Sequence, residues 1–370
     1  MEDYTITIKK LVYGGQGIGF LDDKTVFVPQ VLPGELVIIN ITGNRKKTLF
    51  AQLKKVLISS PHRRIPSCSL TDRCGGCNWQ HIDYQEQLNQ KTTLAQEVFN
   101  RIGKIQLTDS DIISGDEFQY RNRMRFHRNN AHEIGLNMRE SNTIVPIKNC
   151  PIAHETINEF LSNPPHGYLD QFTVFADTNW LANEEYDGDK ELSVTVLGKP
   201  IFFTIKQFFQ SNILMLEKMI PDITEGLSGN TLIDLYCGVG TFAAFLQDTF
   251  TKIILVEENI AALNYAAKNI PNKNSELYGI SVENWIKIKK KQKTIDAVIL
   301  NPPRTGLSST VRQYLLTIRP TKIVYVSCNP VTQARDIREL ISGGYTLEKI
   351  TLFDFYPQTA HIESVAKLVL

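Results

Sequence analysis

The sequence predicts an α/β protein in which a doubly wound sheet fills the C-terminal part, behind a small β-barrel and a central α+β segment. Three observations predict it. From about residue 201, apolar strand-like runs alternate with helical stretches, as in strands joined by crossover helices. The first of those runs, TLIDLYCG, ends in a glycine turn, where an open α/β sheet gathers its ligands. Residues 1–58 carry short β-branched runs divided by Gly and Pro turns.

Within residues 1–58, ITIKKL, TVFVP and ELVIINI read as strands. GGQGIG and FVPQVLPGE resemble the TRAM domain, a small OB-like barrel that binds RNA, and OB barrels offer basic and aromatic groups to nucleic acid. Without that resemblance the same residues describe an unassigned β-barrel. Residues 59–200 form the central segment, which opens with SSPHRRIPS. Leu88, Leu94, Val98 and Ile102 recur near helical spacing, so a helix is expected over 81–102. In residues 201–370, TLIDLYCG, KIILVEEN, IDAVILNPP and KIVYVSCNP read as strands. TFAAFLQDTF and IAALNYAAKNI read as helices, and TLEKITLFDFYP and HIESVAKLVL close the chain as two further strands. The lysines from Lys287 to Lys293 read as a solvated face.

With 370 residues, 42% apolar and 21% charged, the chain has the composition of a folded protein of two or three domains. The opening MEDYTITIKK lacks the apolar segment of a signal peptide. No apolar run approaches the roughly 18 residues needed to cross a bilayer. A cytoplasmic monomer without a membrane partner is expected. The net charge of +1 hides an uneven distribution: Arg45 to Arg73 is rich in Lys and Arg, with Asp72 the only acid. Such a patch sets phosphate affinity and points to nucleic acid. Tyr120-Arg-Asn-Arg123-Met-Arg125-Phe-His-Arg128 would add Arg121, Arg123 and Arg125 on one strand face, for phosphate contact or as a merely solvated surface over Met124 and Phe126.

The glycine turn Asp234-Leu-Tyr236-Cys-Gly238-Val-Gly240 is not spaced as the dinucleotide G-x-G-x-x-G. Glu257 ends the next strand, where a carboxylate can accept from both hydroxyls of a ribose. Together these look like a class I S-adenosylmethionine site, with a nicotinamide dinucleotide as the competing ligand. Upstream, Phe208-Phe-Gln210-Ser-Asn212 offers amides beside an apolar surface.

Ser327-Cys328-Asn329-Pro330 follows an apolar strand, so Cys328 should sit in a strand-end loop facing the cofactor; His361-Ile-Glu363 places a carboxylate near the start of the last strand. A thiolate and a carboxylate are what methylation of uracil carbon 5 requires. The thiolate adds to carbon 6 to make carbon 5 nucleophilic, and the base later removes the carbon 5 proton so that the thiolate can leave. A lone Cys in such a loop is otherwise structural. On these motifs the chain resembles the bacterial rRNA and tRNA uracil-5 methyltransferase family over essentially its whole length. The resemblance implies a class I methyltransferase fold in residues 201–370, Cys328 as nucleophile and Glu363 as base. It also implies Gln210, Tyr236, Gly238 and Glu257 as S-adenosylmethionine contacts. The loop Asn301-Pro-Pro-Arg304 departs from the family, which usually has Asp before Pro-Pro-Arg. Asn keeps a carbonyl acceptor but loses the charge; Asn301 remains a cofactor or substrate contact. A two-cysteine cytosine methyltransferase would carry a second Cys in this loop. Amino-nitrogen methyltransferases follow Asn-Pro-Pro with an aromatic residue, where this chain has Arg304.

Cys68-x5-Cys74-Gly-Gly-Cys77 and the distant Cys150-Pro supply four thiols, and a reducing compartment favours metal over disulfides. Four thiolates suit zinc or a 4Fe–4S cluster, and thiols without metal are the further alternative. The spacing is similar to that of the iron–sulfur rRNA members of the family, which implies a 4Fe–4S cluster on Cys68, Cys74, Cys77 and Cys150. The barrel and the cysteine motif together favour 23S rRNA over tRNA as the RNA partner. An RNA-binding homologue with weakened catalysis is the alternative that Asn301 raises.

Overall fold

The computed structural model describes residues 2–107, 112–271, 274–289 and 294–370. It contains a barrel-like sheet, a central antiparallel sheet, the two-stranded hairpin Leu192–Val196 and Lys199–Phe203, and a large mixed sheet.

The first sheet runs in the order Asp3–Thr7, Leu36–Arg45, Thr48–Ile58, Lys24–Val28, Gly17–Leu21, Lys10–Leu11. Alternate residues turn inward, so Ile6, Val26, Val28, Val37, Ile39, Leu49 and Ala51 share one core. Gly19 lies against the first strand: a Cβ there would come within 2.8 Å of the Thr7 carbonyl oxygen. That close approach curls the sheet back on itself.

The central sheet is wholly antiparallel, in the order Ile144–Pro146, Ile134–Asn137, Arg123–Arg128, Gln171–Asp177, Trp180–Asn183. The helix Glu155–Ser162 covers it through Ile157 and Leu161, which meet Met124, Phe126 and Phe172. Arg128 forms a forked pair with Glu185, both bonds 2.7 Å, beneath the Phe172 ring.

The large sheet runs Ser275–Tyr278, Phe250–Val256, Gly229–Leu235, Ala297–Leu300, Lys322–Ser327, Glu363–Val369, Thr346–Phe353, Ile112–Ile113. The first five strands are parallel, and Glu363–Val369 enters antiparallel between its two neighbours. Period-two alternation divides the sheet's residues between two cores. Leu232, Ile253, Ile299 and Val324 face the helices Ile213–Thr224 and Ile260–Asn269. Ile233, Ile254, Val298 and Ile323 face Val282–Ile288, Ser309–Ile318 and Pro330–Ser342.

Two expectations change in detail. TFAAFLQDTF forms only a short 3-10 turn at Ala243–Phe245, because Phe242, Ala243, Ala244 and Leu246 are all buried and no single helical stripe could bury them together. Lys289 is no solvated residue: its ammonium meets Glu276 at 3.0 Å and the Tyr278 hydroxyl at 3.1 Å. Lys290, Lys291 and Lys293 lie outside the described residues. The expected helix over 81–102 is observed as Tyr84–Val98 followed by a π-turn at Phe99–Gly103. Its Ala95, Val98 and Phe99 pack into the second core of the large sheet, and Ile112–Ile113 supplies that sheet's edge strand. The central segment thus reaches physically into the C-terminal part.

Candidate active site

Gly229–Leu235 and Ala297–Leu300 are neighbours whose connections leave in opposite directions, the place where α/β sheets open a crevice at their carboxyl ends. Tyr236 (φ 63°), Gly238 (φ 55°) and Gly240 (φ 76°) turn the chain sharply there. A Cβ on Gly240 would lie 2.8 Å from Ile270 and 3.0 Å from Ala266, so glycine lets the turn pack on the following helix. The Gly238 amide donates to Glu257 (3.0 Å), and the other Glu257 oxygen accepts from the Asn259 amide (2.8 Å). Asp234, fully buried, has its carboxyl pushed up to about 8 by desolvation and belongs to the core beneath the turn.

These loops enclose a cavity of about 1040 Å³. Gln210, Tyr236, Gly238, Glu257, Asn301, Cys328 and Glu363 all line it. Sequence positions more than 150 residues apart therefore share one chamber. Asn212 caps the helix Ile213–Thr224 by accepting from Met215, which holds Gln210 at the rim.

Strand register sets the distal end of the cavity. Ser327 is paired with Ser364 in the antiparallel ladder, so the next residue of one strand and the preceding residue of the other, Cys328 and Glu363, emerge together. Ser364 Oγ donates to Gln333 Oε1 (2.6 Å) and lies 3.3 Å from the Ser327 carbonyl oxygen, which helps hold that register. Burial raises the Cys328 thiol above its ordinary range, and the Glu363 charge adds to this, while Arg304 opposes both. Desolvation pushes the Glu363 carboxyl up to about 8, again against Arg304. Asn329 donates to the Arg304 carbonyl (2.9 Å) and caps the next helix through Val331, so the Cys328 and Arg304 loops are tied together.

Further groups stand at this end; of them the sequence pointed to Arg121, as a phosphate contact, and to His361, as part of the motif before Glu363. Tyr356 accepts from Ser211 Oγ (3.4 Å), and the Arg121 guanidinium lies 5.8 Å from its ring centre. His361 stands edge-on to Tyr356 and is held neutral, near 4, by desolvation and by Arg304, Lys91 and Arg121. Beneath them, Lys91 and Asp354 form a fully buried pair at 2.5 Å. Arg304 was visible only as part of a motif. Tyr356, Lys91 and Asp354 follow no local period and become neighbours only where the chain's closing turn meets the helix Tyr84–Val98.

The cysteines gather elsewhere. Cys68, Cys74, Cys77 and Cys150 line a separate cavity of about 480 Å³ with Arg121, Arg125 and Arg139. All are free thiols. Burial drives Cys77 up to about 12 and Cys150 to about 11. The Gly76 amide points at Cys74 Sγ (3.4 Å). Among the described residues, no three or more His, Cys, Asp or Glu side chains converge closely enough to hold one metal ion.

The expected basic surfaces survive only in part. Arg63 is bound to the buried Glu35, and Arg64 to Glu117 and Gln358. Arg121, Arg123 and Arg125 do alternate with buried residues, but Arg123 spends its guanidinium on the carbonyls of Ile205 (3.1 Å) and Gln207 (3.3 Å). Among the described residues, Arg45, Lys46, Lys47, Lys55 and Arg73 carry no ion pair.

No helix among the described residues is long and apolar enough to cross a membrane. The family model described as tRNA (Uracil-5-)-methyltransferase matches residues 189–369, and the TRAM domain model matches residues 2–54. A Treponema denticola protein named an uncharacterized RNA methyltransferase is 34% identical, covering 99% of this chain and 98% of its own length. The 23S rRNA (uracil(1939)-C(5))-methyltransferase RlmD of Photobacterium profundum is 28% identical, covering 98% of this chain and 93% of its own. The crystal structure of the Pyrococcus abyssi tRNA (uracil-54, C5)-methyltransferase with S-adenosyl-L-homocysteine shares the fold across 99% of this chain and all of that one, with a TM-score of 0.78 at 24% identity. The chain belongs to the RNA uracil-5 methyltransferase family and carries its N-terminal TRAM domain.

Proposed function

We propose that this protein methylates carbon 5 of a uridine in 23S rRNA, with Cys328 as nucleophile and Glu363 as base. The observation that carries it is the emergence of Cys328 and Glu363 side by side at one end of the cavity, with the glycine turn and Glu257 at the other. S-adenosylmethionine, bound by Gln210, Tyr236, Gly238, Glu257 and Asn301, supplies the methyl group. Cys328 Sγ bonds carbon 6 of the uracil, and the carbon 5–carbon 6 electron pair shifts toward the ring carbonyl, where Arg304 favours negative charge. Carbon 5 then takes the methyl group. Glu363 removes the proton left on carbon 5, and the returning electron pair expels Cys328 as thiolate. A carboxyl raised to about 8 is a stronger base than an ordinary one and titrates near working pH. Preference for 23S rRNA rests on the RlmD relative and on the cysteine motif.

The parts divide at residues 58 and 200 into an RNA-gripping barrel, a cysteine-bearing segment and the cofactor half. Exposed Arg45, Lys46, Lys47 and Arg73 suit phosphates on the barrel side. For the cysteines, the donor chemistry fits a 4Fe–4S cluster: four free thiols around one cavity, with an amide aimed at one sulfur and arginines flanking it. Cys68, Cys74, Cys77 and Cys150 would hold it, and it would order the segment that meets RNA. The methyl transfer needs no step from it. Asn301 supports the second reading, an RNA binder with weakened catalysis.

The test is transfer of labelled methyl from S-adenosylmethionine to rRNA and tRNA lacking 5-methyluridine, with the product nucleoside identified by mass spectrometry. Label in 5-methyluridine of 23S rRNA is expected. RNA bound but unlabelled would support the second reading.

A further inference from the structure

The Tyr13 hydroxyl donates to Asn329 Oδ1 at 3.1 Å, joining residues 316 positions apart. Tyr13 belongs to the N-terminal barrel. Asn329 is the residue after Cys328. The same Asn329 oxygen also accepts from the Val331 amide (3.1 Å), while its amide group donates to the Arg304 carbonyl (2.9 Å). One side chain therefore joins the nucleophile's loop, the Arg304 loop and the helix Pro330–Ser342, and the barrel adds one more bond to it. Tyr13 also lies within electrostatic reach of Cys328, Arg304 and Glu363.

The turn that carries Tyr13 is built to be placed. Gly14 (φ 98°) and Gly15 (φ 90°) adopt a backbone that other residues avoid. A Cβ on Gly15 would meet Ala360, Asn78 and Trp79 at 2.7–2.9 Å. The Gly15 carbonyl accepts from Trp79 Nε1 (3.0 Å), and the Gly14 carbonyl from Asn78 (3.3 Å). Asn78 also accepts from the Ala360 amide (3.0 Å), two residues from Ile362 and three from Glu363. The barrel turn is thus anchored next to both sides of the active site, yet Tyr13 itself remains 39% exposed at the junction. A residue kept half in solvent contributes little to the core. Its one directed bond goes to the loop of the nucleophile.

We infer that Tyr13 is a positioning residue: through Asn329 it makes the barrel a part of the active site and holds the Cys328 loop in its attacking geometry. This rests on the proposed role of Cys328. Losing one neutral hydrogen bond corresponds to a factor of about five.

The experiment uses the full-length protein with Tyr13→Phe, Asn329→Ala and the double variant. Single-turnover adduct formation with RNA carrying 5-fluorouridine at the target is measured at saturating RNA, alongside RNA affinity. Tyr13→Phe is expected to slow the adduct about fivefold, leave RNA affinity unchanged, and cost nothing further on the Asn329→Ala background. A loss of RNA affinity with an unchanged saturating rate, or the same fivefold loss in the absence of Asn329, would overturn the inference. Alkylation of Cys328, followed by peptide mass spectrometry, tests the loop without RNA. A faster reaction in Tyr13→Phe supports positioning, and an unchanged rate counts against it. Absence of any adduct in the wild type would instead sink the nucleophile assignment and leave the alkylation comparison to decide on Tyr13.

Discussion

Cys328 and Glu363 are brought together by a backbone register: Ser327 pairs with Ser364, and Cys328, after the one, and Glu363, before the other, leave the ladder at the same end. Each residue lies at a strand end whose partner is fixed by a ladder running from Lys322–Val369 to Ser327–Ser364. A slip of one residue would carry either side chain to the opposite face of the sheet.

The first prediction separates their roles. Cys328→Ala should abolish both methylation and the covalent adduct with 5-fluorouridine RNA, seen as a shifted band on a denaturing gel. Glu363→Gln should keep the methylated adduct on natural RNA but release it slowly, by a factor on the order of 10² to 10⁴. Adduct persisting in Cys328→Ala would remove the nucleophile assignment, and normal turnover in Glu363→Gln would remove the base.

The second concerns pH. The folded Glu363 carboxyl is raised from 4.5 to about 8, so between those values the folded protein holds a proton that the unfolded chain has released. Its contribution to stability is therefore present below pH 4.5 and lost as pH rises through 8. Glu363→Gln, which cannot ionise, should be more stable than wild type by about 1–2 kcal/mol at pH 8, a figure reduced for solvent reaching the carboxyl through the cavity. The difference should shrink toward pH 5. Denaturant melts at several pH values check this; a pH-independent difference would refute it. The methylation rate should rise with pH through about 8 as the Glu363 carboxylate forms.

Metal content gives the third. Protein prepared without oxygen should be brown and contain about four irons per chain, the content of one 4Fe–4S cluster. Cys74→Ser should reduce iron and RNA affinity together. One zinc and no iron in such protein would exclude the cluster.

A fourth follows from Asn301. A charged acceptor makes a hydrogen bond roughly twice as strong as a neutral one. Asn301→Asp should therefore raise turnover on native RNA with S-adenosylmethionine affinity retained, as read by steady-state kinetics. An equal or lower rate in the Asp variant would mean that Asn is matched to this substrate.

The buried pair supplies the fifth. Lys91→Met leaves Asp354 charged and unpaired in the core and should cost about 3–5 kcal/mol. Adding Asp354→Asn should recover most of that loss in a denaturant melt, because no buried charge then remains. Absence of recovery would show that Lys91 acts mainly through its bond to the Tyr356 carbonyl, 3.1 Å away.

The sequence by itself determined the class of fold, and it pointed to the glycine turn and to Cys328 and Glu363 as candidates. These rest on local signals: period-two apolar runs, a glycine turn after a strand, and Cys328 and Glu363 at strand ends. It also located the four cysteines as a set, because their spacing is short-range except for Cys150. Only the tertiary structure decided the rest. It turned Arg63, Arg64 and Arg123 from a basic surface into internal ties, since a guanidinium beside a buried carboxylate or free carbonyl is worth more paired than solvated. It moved the helix Tyr84–Val98 onto the large sheet, where Ala95 and Val98 find apolar partners. And it set Tyr13 beside Asn329 and Arg121 beside Tyr356, contacts between distant segments that no local period encodes. Strand pattern is written residue by residue along the chain, whereas which loop meets which depends on how whole sheets dock, and that is settled by the summed burial of their cores.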